Sequence, residues 1–90
     1  MANLAGEPSF MWISGDNEVL VDRLRAPLRR ALEGRRSFYS VRIEAVGRVG
    51  EILVSITGSK GRLPLLFGHE DLEPGYVSSV VRDVVTKFAL

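Results

Sequence analysis

Apolar side chains recur along this chain at two different periods, and the periods mark out its elements. Between 17 and 33, Leu20, Val21, Leu24, Leu28, Ala31 and Leu32 share one arc of about 140° when each residue advances about 100°. Asp22, Arg25, Arg29, Arg30 and Glu33 fall on the other side, so the segment is predicted to be an amphipathic helix. Asp16 is the expected N-cap, Glu18 suits the positive end of the helix dipole, and Gly34 with Arg35 and Arg36 suits the other end. Pro27 interrupts the pattern. It removes a backbone donor and crowds the preceding turn, which predicts either a kinked helix or two short ones with Pro27 in the first turn of the second.

Period two governs the middle of the chain. Tyr39, Val41, Ile43 and Ala45 alternate with Ser40, Arg42 and Glu44 in a strand over 37–46. Ile52, Val54 and Ile56 alternate with Leu53, Ser55 and Thr57, and Leu63, Leu65 and Phe67 alternate with Arg62, Pro64 and Leu66. Glycines 47 and 50, then 58 and 61, bound two turns, which makes the three strands an antiparallel meander. Pro64 has no N–H for a ladder and assigns its strand to the sheet edge. Upstream, the aromatic-rich run 9–14 reads as a short buried strand, with Phe10 and Trp12, like Phe67, assigned to the core. Tyr39 is placed there too, with its hydroxyl at the edge.

The valines of 76–90 favour a strand by propensity, but their spacing favours a helix. Val77, Val80, Val81, Val84, Val85 and Phe88 share one helical face, with Ser78, Ser79, Arg82, Asp83, Thr86 and Lys87 off it. The order β-α-β-β-β-α predicts an α+β two-layer sandwich. It has a four-stranded mixed sheet, a right-handed crossover between its first two strands, and both helices on one face. One domain at 9–90 follows a flexible leader at 1–8 that Gly6 and Pro8 punctuate. This order of elements is similar to that of the ribosome-associated hibernation factors, whose double-stranded-RNA-binding-like fold sets helices on a four-stranded sheet. The resemblance lies in topology, and no residue of this chain is matched to a motif of that family.

Composition narrows the chemistry. A chain of 90 residues, 46% hydrophobic and 26% charged, has the make-up of one ordinary globular domain. It has no cysteine and one histidine, His69, which excludes disulfides, thiolate zinc sites, a cysteine nucleophile and a two-histidine metal site within one chain. His69, Glu70 and Asp71 are adjacent, the wrong spacing for ligands of a hard cation, and read as a loop whose acids favour the following helix N-terminus. The segment 58–62 contains Lys60 and Arg62 among glycines, like a fragment of a phosphate loop. It lies between two strands rather than before a helix, so it reads as a hairpin turn. There is no nucleophile-elbow motif and no plausible Ser/His pair. The expectation is a non-enzyme with no cofactor, no metal and no evident small-molecule substrate. No apolar run approaches the ~18 residues of a membrane span, and the first residues lack signal-peptide character. These two observations predict a cytoplasmic protein without a membrane partner.

Two surfaces remain as candidates. The sheet face opposite the helices carries Phe38, Leu53 and Leu66 among Ser40, Arg42, Ser55 and Thr57. That face, or the Pro64 edge, suits a protein partner or a second copy of the chain. The second candidate is the arginine-rich helix face, where Arg25, Arg29 and Arg30, with Lys60 and Arg62 of the turn, can bridge phosphates with salt-dependent affinity. A net charge of +1 argues little for nucleic acid, and Asp22 and Glu33 dilute the basic face. The leading expectation is a non-catalytic protein-interaction module, as an adaptor, inhibitor or oligomerising domain. An RNA- or ribosome-binding module is the alternative.

Overall fold

A computed structural model describes residues 11–34, 38–47 and 50–88. Its elements are β1 (Met11–Gly15), α1 (Glu18–Ala31), β2 (Tyr39–Val46), β3 (Glu51–Gly58), β4 (Gly61–Phe67) and α2 (Pro74–Lys87), with one 3-10 turn at His69–Asp71. The leader at 1–8, Phe10, Arg35 and Arg36 lie outside the described residues, and so do the expectations attached to them.

The strands form one mixed sheet in the order β1-β2-β3-β4. β1 runs parallel to β2, as a βαβ crossover requires, and the other two pairs are antiparallel. The fold is therefore α+β, with β4 and its Pro64 at an edge. Gly47 and Gly50 hold φ of 72° and 77°, a region open to glycine at little cost, and this closes the turn between β2 and β3. Tyr39, Val41 and Ile43 of β2 are buried with Ile52, Val54 and Ile56 of β3 and Phe67 of β4. Their alternate neighbours face outward. Ala45, expected inside, is exposed. Inward burial on β2 ends at Ile43, level with the end of β1 at Gly15.

α1 buries the predicted stripe of Leu20, Val21, Leu24, Leu28, Ala31 and Leu32 in the same core. Two details differ from expectation. Asn17, not Asp16, is the N-cap, and its Oδ1 accepts from the Val19 and Leu20 N–H groups at 3.0 and 3.2 Å. The helix also runs unbroken through Pro27, whose ring is buried on the core side. Burial of the ring offsets part of the lost helix bond. The approach of α1 to the sheet is close at Gly15. A Cβ there would press on the carbonyl oxygen of Ile43 and lie 2.9 Å from Val21 Cγ2.

α2 is helical despite its valines. It starts at Pro74 because proline suits a first turn, and Glu73 caps it through Oε1, which accepts from the Tyr76 N–H at 3.2 Å. Val77, Val81 and Val85 are buried, together with Ser78, which the sequence places off the apolar face. The buried stripe takes in Ser78, and Val80 packs against its margin, partly buried. Phe88, expected on that face, is exposed because it lies beyond the last turn. The buried stripes of both helices and one face of the sheet belong to a single apolar core, in agreement with two helices over one sheet face.

Candidate docking face of the sheet

The side chains of even number on β2, and their ladder partners, make the outward face. The register sets them in rows across the strands: Trp12, Ser40, Thr57 and Arg62; then Ser14, Arg42, Ser55 and Pro64; then Glu44, Leu53 and Leu66; and last Val46 and Glu51. Leu53 and Leu66 are direct cross-strand partners, so the structure brings two of the three sequence-predicted residues together. Leu66 is 57% exposed and Leu53 half-buried. Phe38, 53% exposed, shares the face but precedes β2. At ~3.3 Å per residue it lies about 20 Å along from the level of Glu44, at the opposite end.

Trp12 is a correction to the sequence reading. It is 67% exposed, and Ile13 takes the inward position that was expected of it. A strand places alternate residues on opposite faces, so only one of the two neighbours can enter the core. Trp12 joins Phe38 at one end of the outward face, separated by two strands from Arg62 of the same row. Sequence reasoning missed it, although the pairing of Ile13 with the inward Val41 identifies it once β1 is set beside β2.

The middle of the face is polar and charged. Arg42 donates through Nη2 to Asp16 Oδ1 at 3.2 Å, and its Nε lies 3.2 Å from Glu44 Oε2. One cation therefore stands between two carboxylates, with serines and a threonine around it.

The basic candidates divide by position. Arg25, Arg29 and Arg30 are all exposed on α1. Arg25 Nη2 lies 3.7 Å from Asp22 Oδ1. Arg29 and Arg30 occupy the last turn of α1, which returns to the end of the sheet where β2 begins. The turn between β3 and β4, with exposed Lys60 and Arg62, is at that same end, since Thr57 and Arg62 are level with Ser40. α2 runs the same way as α1. Its Tyr76 ring packs edge-on to Phe67 with centroids 6.3 Å apart, and its Arg82 Nη2 donates to the Arg30 carbonyl at 3.4 Å. The far end collects Asp16, Glu18, Glu51, Glu70, Asp71 and Glu73 around the helix N-termini. Charge is thus biased along the domain, with cations beside Glu33 at one end and acids at the other, in the sense that complements both helix dipoles.

His69 lies beside Gly50, where an added Cβ would be 4.0 Å from it. Among the described residues no three acidic or histidine side chains converge to hold a metal ion, and no helix is long and apolar enough to cross a membrane. No family model matches the chain, and comparison with curated proteins and with solved structures finds no match.

Proposed function

We propose that this chain is a non-catalytic protein-interaction module that docks through the outward face of its sheet. The observation that carries the reading is the common placement of Trp12, Phe38 and Leu66, each more than half exposed, on the one sheet face that does not contribute to the core. Trp12 with Phe38 at one end and Leu53 with Leu66 at the other bracket a polar middle, and exposed apolar clusters rimmed by polar residues mark contact surfaces. Pro64 supports the face over the β4 edge, because it removes a donor from the row an added strand would need. Arg42 between Asp16 and Glu44 leaves a surplus carboxylate at the centre of the face, which disfavours a polyphosphate.

Capture of partners from the native cell tests the reading, with Leu66→Asp and Arg29→Glu proteins run beside the unaltered chain. Loss with Leu66→Asp and retention with Arg29→Glu support it; the reverse removes it. A cytoplasmic location is part of this proposal, and cell fractionation tests it.

A second reading has its own observation. Arg29, Arg30, Lys60 and Arg62 share one end of the domain, with Trp12 and Phe38 nearby. This combination of cations and aromatics suits RNA phosphates and bases. Binding to generic RNA that falls steeply with salt promotes that reading, and no binding at low salt eliminates it.

A further inference from the structure

Resting on the outward face as the docking surface, we propose that its occupant is a second copy of this chain, packed face to face with the strands of the two copies running in opposite directions. The face carries opposite charges at its two ends, Glu44 and Glu51 at one and Lys60 and Arg62 at the other. A half turn about an axis across the strands, at the row of Arg42, exchanges those ends. The row of Arg62 then covers the row of Leu53 and Leu66, and the end bearing Lys60 covers the end bearing Glu51. The apolar stem of Arg62 can lie on Leu66 while its charge stays wet. The surface is in this way its own complement, as an interface with two-fold symmetry must be.

The central row lies on this axis. Each Arg42 meets its symmetry mate there, and each already stands between Asp16 and Glu44 at 3.2 Å. Each cluster has one cation and two carboxylates, so its surplus charge counts against close approach at the axis, and the charges at the two ends carry the pairing. An axis along the strands is less favourable, because it keeps like ends together, with Lys60 and Arg62 of both copies at one end and Glu44 and Glu51 of both at the other. The sheet twist that orients aligned sheets at ~30° is compatible with the crosswise axis.

Size predicts a weak dimer. Four strands at ~4.8 Å spacing and ~3.3 Å rise give a footprint of about 500 Å². That falls short of the roughly 800 Å² per partner of a standard interface, so association is expected in the micromolar range. The β4 edge, protected by Pro64, offers no competing route into a continuous sheet.

Sedimentation equilibrium over a wide concentration range tests the proposal, with circular dichroism to verify that each variant is folded. The unaltered chain is expected to be a reversible monomer–dimer system, and Leu66→Asp a monomer throughout. Glu51→Lys and Lys60→Glu should each weaken association about tenfold or more, and the two combined should restore it. If Leu66→Asp does not fold, the charge exchange decides alone. A chain that stays monomeric at its highest soluble concentration overturns the second copy as occupant. So does a dimer indifferent to all these changes. Either failure is separate from failure of the docking face itself, which the captured partners of Leu66→Asp decide.

Discussion

The guanidinium of Arg42 holds the Asp16 carboxylate at 3.2 Å across 26 residues of sequence, tying the middle of β2 to the joint between β1 and α1. Both side chains are more than half exposed, so the pair adds little to stability. Arg42→Ala should cost under about 1 kcal/mol in urea unfolding. Its effect on association should be larger. Without Arg42, the carboxylates of Asp16 and Glu44 from two copies approach unmatched at the proposed axis. A variant that loses stability but keeps its dimer would contradict this division.

The close approach at Gly15 gives a second prediction. Gly15→Ala must displace the Ile43 carbonyl or push α1 outward, because Val21 Cγ2 is 2.9 Å from the new methyl. The expected loss is about 1–3 kcal/mol by denaturant titration. An unchanged midpoint would show that α1 does not pack this tightly.

Capping separates two adjacent residues. Asn17→Ala removes the acceptor for the Val19 and Leu20 N–H groups and should cost about 1 kcal/mol. Asp16→Ala removes only an exposed ion pair and should cost less. Thermal melts of the two variants in the same buffer check the order, and a greater loss for Asp16→Ala would return the cap to that residue.

The core and the outward face should respond differently to truncation. Leu24→Ala, at a fully buried position, is expected to cost about 2–5 kcal/mol. Leu66→Ala and Trp12→Ala should each change the stability of the monomer by about 0.5 kcal/mol or less. Urea unfolding at concentrations below dimer formation makes the comparison, and a large loss at Trp12 would return it to the core.

Much of this fold was legible because its period-two signals are unmixed. On β3, Ile52, Val54 and Ile56 never trade places with polar residues, and the two turns fix the register that sets Leu53 beside Leu66. Pro64 named the edge. Trp12 was not legible, because β1 is flanked by apolar residues at successive positions and shows no period. Which of Trp12 and Ile13 turns inward depends on pairing with β2, a contact distant in sequence. Asp16 and Asn17 are both good caps by chemistry, and Arg42 settles the choice by engaging Asp16. Phe88 has the right helical phase but lies past the end of the core. The meeting of Arg29 and Arg30 with Lys60 and Arg62 follows from chain direction, which no local pattern encodes.

Trp12 is the only tryptophan of the chain and reports on the outward face directly. Acrylamide quenching of its fluorescence, followed through a dilution series, tests whether a second copy covers that face. Quenching should rise on dilution in step with dissociation, and should be high at every concentration in Leu66→Asp protein. Strong quenching in the unaltered chain that does not change with concentration, where sedimentation shows dimer, would contradict the account.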